Sequence, residues 1–296
     1  MALILDGILK SAEIKAEIKQ EVLALTAKGL RPPHLAAILV GNDGASQTYV
    51  NSKIRDCEEV GFRSTLVRMD EHTSEAELLR QVEFFNNDPA LDGFIVQLPL
   101  PAHIDEQRVI MAVSPLKDVD GFHPVNVGRM VLGLEGFVPA TPSGIIELIR
   151  RYNVDTEGKH CVVVGRSAIV GTPMNILMSR STWPGNSTVT LAHSRTRDIQ
   201  HHTLQADILI SATGQSESIG MDMIKPGAIV IDVGITRVPD ESRKKGYRIA
   251  GDIRFDEVVD HVSAITPVPG GVGPMTRASL LINTMKAYKM RQSRES

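Results

Sequence analysis

Tyr49 and Lys53 stand four positions apart in a stretch whose pattern predicts a helix from about Ser46 to Glu59. Both side chains therefore leave one helix face about one turn apart. A phenol ring beside an amine can give a flat ligand a floor and a proton carrier, although the spacing alone also fits a solvated surface. Gln97 ends the apolar run Gly93–Leu98 and precedes Pro99-Leu100-Pro101, at the C-terminal edge of a predicted strand. A buried amide there needs partners, and it could accept from the Lys53 ammonium. Asp118 and Asp120 flank Val119 before Gly121. Only one of the two carboxylates is expected to address a pocket. A carboxylate suits a ring edge carrying two donors, while an ordinary turn also accounts for the segment.

Residues 269–276 read PGGVGPMT, three glycines and two prolines within eight positions. Glycine lets a ligand approach the main chain and proline stiffens what lies between, so the segment reads as a ligand-wrapping loop. Gly165-Arg166-Ser167 follows four apolar β-formers and precedes a predicted helix, the context in which backbone N–H groups hold a pyrophosphate. Ser167 and Val170 replace the second and third glycines of the usual fingerprint, so a plain strand–turn–helix remains open. Residues 191–197, LAHSRTR, contain no acid to receive a ribose 2′-hydroxyl. Ser194, Arg195 and Arg166 instead suit the 2′-phosphate of NADP, and an exposed basic turn is the other reading.

The elements that must position these groups follow from periodicity. Ile8, Leu9, Ile14, Ile18, Val22 and Leu25 recur at helical spacing until Gly29 and Pro32-Pro33. Strands at 35–40, 65–69 and 93–98 then alternate with helices 46–59 and 74–85. From about Pro139 a second series begins: helix 142–152, strand 161–164, helix 170–178, and strands 188–191, 208–211 and 228–233. Such alternation predicts parallel sheets, with ligands at the strand ends. The expected fold is α/β, with two α/β domains flanking a cleft and the second domain Rossmann-like. The expected division is 1–139 plus 271–296 for the catalytic domain and 140–270 for the nucleotide-binding one. A last helix, 276–290, is expected to pack back on the first domain.

The chain has 296 residues, 42% hydrophobic and 23% charged, with a formal charge of -3. That length allows two domains of about 130–160 residues. The charge balance and 4% aromatic content speak against nucleic-acid binding. Cys57 and Cys161 read as buried reduced thiols, which favours the cytoplasm. No signal-peptide pattern and no run of about 18 apolar residues is seen, so neither export nor membrane insertion is expected, and no metal site is anticipated.

The ordered segments YVNSK (49–53), VQLPLP (96–101), KDVDGFHP (117–124), GRSAIVGTP (165–173), DVGI (232–235) and TPVPGGVGPMT (266–276) closely resemble the bifunctional methylenetetrahydrofolate dehydrogenase/methenyltetrahydrofolate cyclohydrolase family over essentially the whole chain. The resemblance implies NADP-dependent oxidation of 5,10-methylenetetrahydrofolate and hydrolysis of the methenyl product to 10-formyltetrahydrofolate. It further implies a homodimer, and Lys53 as catalytic lysine, with Gln97 its partner, Tyr49 stacking on the pterin and Asp120 gripping the pterin edge. Val96, Leu98 and the loop Pro269, Gly270, Gly271, Val272, Gly273, Pro274 and Met275 would contact the folate. Gly165, Arg166, Ser167, Ser194, Arg195 and Ile235 would contact the cofactor. Ala140 stands where the family commonly has Cys, and Gly44 where a Pro is usual before YVNSK.

Overall fold

The structure, a computed structural model, describes residues 2–243 and 246–295. In chain order, β1 (Leu3–Ile4) and α1 (Gly7–Ala27) lead into β2 (His34–Val40), α2 (Gly44–Val60), β3 (Arg63–Met69), α3 (Glu75–Asn87) and β4 (Gly93–Val96). Next come α4 (Glu106–Ala112), α5 (Pro124–Leu132), α6 (Ala140–Arg151), β5 (His160–Val164), α7 (Gly171–Ser179), β6 (Thr188–Ala192), α8 (Ile199–Thr203) and β7 (Ile208–Ser211). The chain continues through β8 (Ile229–Asp232), β9 (Thr236–Pro239), β10 (Tyr247–Ala250), α9 (Phe255–Val258), β11 (Ala264–Ile265) and α10 (Val272–Glu295).

Two units divide the chain. The first comprises Ala12–Ala140 and the residues from Arg277 onward, and the second comprises the residues up to Ser11 and Thr141–Thr276. The sequence expectation assigns the N-terminal residues to the first unit. They group instead with the second, because Leu3 and Ile4 pair in parallel with Ala264 and Ile265.

The first unit is built on a parallel sheet in the order β3-β2-β4. All of β2 is buried, as expected of a central strand covered on both faces. Ala36, Ile38 and Val40 pack with Leu78, Val82, Phe85 and Phe94. Ser74 starts α3 with a capping box, its hydroxyl accepting from Glu77 N–H while Glu77 returns to the Ser74 N–H, the reciprocal arrangement that satisfies two free donors. Asp43 caps α2 through Ser46 N–H, and Gly61 ends it at φ 82°. Gly44, read from sequence as loop, is the first residue of α2, where proline is also tolerated because that N–H needs no helical acceptor.

The second unit carries a six-stranded sheet, β1-β11-β8-β7-β5-β6, parallel throughout. Val162, Val164, Leu209, Val230 and Ile253 form its core with Ile265. The antiparallel pair β9–β10 has no counterpart in the sequence expectation; neither do α4, α5, α8 and α9, all shorter than the window of about 11 residues over which helical periodicity is read.

The C-terminal helix departs from expectation at its start. Residues 272–276 are already helical in α10, not loop, because Pro274 falls in the first turn, where its missing N–H leaves no acceptor unfilled. From Arg277 onward α10 belongs to the first unit, and Asn283 Nδ2 donates there to the carbonyls of Val119 (2.8 Å) and Val138 (3.1 Å).

Candidate active site

Lys53 and Tyr49 sit on α2, the helix that follows the C-terminal end of β2. Lys53 is buried, and its Nζ lies 5.0 Å from the centre of the half-buried Tyr49 ring. Gln97 follows β4, and its N–H continues the sheet by donating to Ile38 O at 2.9 Å. Its side chain is fixed at both ends: Oε1 accepts from Lys53 Nζ at 3.3 Å, and Nε2 donates to Leu98 O at 2.7 Å. The sheet order changes direction at β2, with β3 on one side and β4 on the other. α2 and Gln97 thus flank the topological switch point, the usual ligand position in an open parallel sheet.

A turn divides the two carboxylates of KDVDGFHP, closed by Gly121 N–H donating to Asp118 O at 3.1 Å; in extended backbone residues two apart would share a face. Asp118 is buried and consumed by structure, accepting from the N–H groups of Gly121, Phe122 and His123 and from Asn126 Nδ2. Asp120 is the carboxylate coupled to Lys53. Burial pushes its pKa up, with the Lys53 charge opposing and Asp118 reinforcing. Burial pushes the Lys53 pKa down, and Asp120 pulls it partly back. Desolvation therefore outweighs the mutual attraction in both groups, leaving a lysine far better able to exist as a free amine than one in water. His123 Nδ1 accepts from Val125 N–H at 3.1 Å as the cap of α5. Asp120, Val96, Leu98 and Phe122 line a crevice of about 20 Å³, room for a water at most.

Cys57 and Cys161 are free and buried, and burial pushes each thiol up to about 12. Neither is a thiolate nucleophile at neutral pH. Ala140 is buried at the start of α6, its N–H donating to Asp120 O at 3.2 Å.

In the second unit the switch point lies between β5 and β7, and a cavity of about 400 Å³ opens there. Gly165, Arg166, Ser167 and Ser194 line it, as do His193, Ala212, Thr213, Gln215, Ser218 and Ile219. Gly165 has φ 123°, and a Cβ on it would lie 2.3 Å from Ala212 O. Gly171, at the head of α7, abuts the same turn, with a would-be Cβ 1.9 Å from Gly165 O. Gly171 thus supplies the close helix–strand packing that sequence reasoning sought one position earlier at Val170. Ser167 Oγ accepts from the N–H groups of Val170 (3.2 Å) and Gly171 (3.4 Å). These features fit a dinucleotide: a bare backbone turn, a helix N-terminus behind it and an opening of suitable size.

Arg195 and Ile235 are exposed and do not line this cavity. Arg195 N–H donates to His193 Nδ1 at 3.2 Å, and Ile235 lies near Gly273, whose Cβ would be 3.5 Å from it. Asp198, the first acid after β6, caps α8 through His201 N–H. Within residues 269–275, Gly270 has φ 118°, and Met275 is fully buried. Gly7 and Gly144 hold this segment from the other side, since a Cβ on either would fall 1.8 Å from Gly271 O or 2.7 Å from Met275 C. Neither glycine was singled out from sequence, because each is specialised only by what packs on it.

A glycine turn at the switch point of one unit and a buried lysine–amide–carboxylate group at that of the other define an α/β enzyme with a nucleotide-binding domain. Residues 5–120 match the tetrahydrofolate dehydrogenase/cyclohydrolase catalytic domain and residues 139–292 the NAD(P)-binding domain of the same family. A relative from Cytophaga hutchinsonii, "Bifunctional protein FolD", is 58% identical over 97% of this chain and 99% of its own. The crystal structure of a bifunctional methylenetetrahydrofolate dehydrogenase/cyclohydrolase from Campylobacter jejuni is similar at a TM-score of 0.92 and 45% identity, covering 98% of this chain and 100% of that one. The Trypanosoma brucei dehydrogenase-cyclohydrolase, solved with NADP cofactor and an inhibitor, also has a TM-score of 0.92, at 39% identity and 98% coverage of both chains. The chain belongs to the tetrahydrofolate dehydrogenase/cyclohydrolase family. It is a methylenetetrahydrofolate dehydrogenase and methenyltetrahydrofolate cyclohydrolase of one-carbon metabolism.

Proposed function

We propose that one residue group, Lys53 with Gln97, Tyr49 and Asp120, serves both reactions on the folate, and that NADP is the oxidant. The observation that carries this is the buried Lys53 amine, held at 3.3 Å by Gln97 and coupled to Asp120. Hydrolysis of the methenyl cation adds water to the one-carbon centre, and a proton must leave that water. Lys53, destabilised as an ammonium by burial, accepts it, and Gln97 Oε1 keeps Nζ aimed. A substrate cation nearby lowers the proton affinity of the lysine further, in the direction that catalysis needs. Tyr49 offers its ring face to the pterin and Asp120 accepts from the pterin's donor edge. Val96 and Leu98 supply apolar contact.

NADP, when bound, accepts the hydride released by the methylene carbon. The backbone at Gly165 and Ser167 would hold its pyrophosphate, and Arg166 with Ser194 its 2′-phosphate, Arg195 reinforcing the positive field. Dehydrogenation asks these residues for alignment more than for proton transfer. The division of labour is 12–140 with the residues from Arg277 onward for folate, and the residues up to Ser11 with 141–276 for the cofactor.

The proposal extends to a cytoplasmic homodimer without nucleic-acid or membrane partners. β6 is an edge strand of the six-stranded sheet, a position that pairing with a second copy would cover. No helix among the described residues is long and apolar enough to cross a membrane. Light scattering at micromolar concentration tests the dimer, and a monomer mass would refute it. The catalytic reading is tested by mixing methylenetetrahydrofolate with NADP and following the methenyl absorbance as it rises and decays. Decay at the uncatalysed rate would remove the cyclohydrolase role from Lys53.

A further inference from the structure

Two carboxylates lie fully inside the second unit: Asp232, at the end of β8, is 2% exposed and Asp252 0%. Asp232 is saturated with donors. Its Oδ1 accepts from Gly234 N–H (2.9 Å) and Asp252 N–H (3.0 Å), and its Oδ2 from Ile253 N–H (2.9 Å). Asp252 Oδ2 in turn accepts from Ser211 Oγ (2.9 Å) and Thr213 N–H (2.7 Å). Asp252 also accepts through its backbone carbonyl from Ile219 N–H at 3.0 Å. Thr213 and Ile219 both line the cavity beside Gly165. Asp252 therefore touches the two ends of that wall, at the point where β7 stops and the chain leaves the sheet.

The pair leaves no room for alternatives. A Cβ on Gly251 would fall 1.9 Å from Asp232 Oδ2, and one on Gly234 2.3 Å from Asp252 Oδ1. Asp252 Oδ1 is buried and receives no hydrogen bond. The nearest basic residue in sequence, Arg254, is paired with Asp222 and Glu257. Asp252 Oδ1 is thus the one oxygen of the two carboxylates that holds no donor.

We propose that Asp252, held in register by Asp232, is a positioning residue for cofactor binding that fixes the Thr213–Ile219 wall of the NADP pocket and needs only its Oδ2 as acceptor. The proposal rests on the assignment of that cavity to NADP. It predicts an asymmetry between the two acids. Asn at 252 keeps an acceptor for Ser211 and Thr213 and loses only the unpaired oxygen. Asn at 232 turns an amide against an N–H donor whichever way it is flipped.

The test measures NADP affinity by calorimetry beside cyclohydrolase activity on methenyltetrahydrofolate without NADP, which reports a folded protein independently of the cofactor. Asp252→Ala is expected to weaken NADP about tenfold or more with cofactor-free hydrolysis within about twofold of the parent, whereas Asp252→Asn stays within about threefold in both and Asp232→Asn behaves like the alanine variant or worse. Parent-like NADP binding by Asp252→Ala, or an equal loss in Asp252→Asn, overturns the proposal. So does a parallel loss of hydrolysis and NADP binding in Asp252→Ala, which would mark a general structural role. Should Asp252→Ala fail to fold, Ser211→Ala removes one donor and leaves the carboxylate; unchanged NADP affinity there overturns the proposal too. A parent that binds no NADP overturns the assignment of the cavity, and this inference with it.

Discussion

Both units place their functional residues at the carboxyl ends of a parallel sheet where strand order reverses, yet they use opposite chemistry there. In the first, on the reading proposed above, the working group is a buried amine: Lys53, held by Gln97 and acted on by the Asp120 charge. In the second, the exposed turn at Gly165–Ser167 is mostly backbone, and the buried charges, Asp232 and Asp252, are spent holding loops. On the proposed reading, a buried titratable group is thus the reactive element in one unit and scaffolding in the other. What separates them is the partner: Lys53 has a single amide acceptor and an opposing carboxylate, whereas Asp232 is filled by three N–H donors.

Lys53→Met tests the first half of that contrast most severely. Cyclohydrolase activity is expected to fall roughly 10²–10⁴-fold, the usual worth of a positioned acid–base group, with the dehydrogenase falling less. Wild-type hydrolysis in that variant, measured on methenyltetrahydrofolate directly, would reassign the proton acceptor.

The second half is tested by pH. Burial raises Asp232 from 3.8 to about 6, so between those values the folded protein holds a proton that the unfolded chain has released. Its contribution is therefore fully present below about pH 4, is lost as pH rises towards 6, and is constant above. The change is on the order of 3 kcal/mol. Asp207, whose pKa is lowered mainly by Lys225, works in the other direction, so the difference between parent and Asp252→Asn is the quantity to follow. Denaturant unfolding from pH 4 to 8 should show the variant gaining on the parent as pH rises. A constant difference would mean that the two acids do not repel.

Smaller effects sharpen the comparison. Arg166→Ala should weaken NADP by about 1–3 kcal/mol and barely affect NAD, by direct titration of both. Equal losses would move the 2′-phosphate contact elsewhere. Gln97→Ala should reduce hydrolysis by roughly tenfold, since it frees Nζ without removing it. A loss equal to that of Lys53→Met would make the amide a participant in its own right.

The two sites differ in how readable they were. Tyr49, Lys53 and Gln97 were legible because helix spacing and a strand terminus constrain direction locally, whereas Asp120 was distinguished from Asp118 only by the resemblance, since a turn and not strand alternation separates the two acids. The strands of both sheets were legible from their sequence runs except β1 and β11, two residues each, which show no pattern of their own. The start of α10 was not, since Gly-Pro-rich sequence signals a loop whether or not its prolines fall in a first helical turn. Gly171 was passed over because the fingerprint places a glycine one residue earlier, and only the contact with Gly165 O shows its role.

The sequence by itself determined the alternating α/β pattern, the lysine-bearing helix, the nucleotide turn and the family, all of which depend on residues near one another in the chain or on motifs in order. Tertiary structure decided which strands are neighbours, that the first residues pair with β11, and that Asp118 is consumed by N–H donors while Asp120 is the acid whose charge acts on Lys53. It also decided that Asp252 reaches Ser211 and Thr213, about 40 residues away in the chain. Burial and hydrogen-bond partnership at such separations depend on how the sheets assemble, and no local pattern of side chains encodes them.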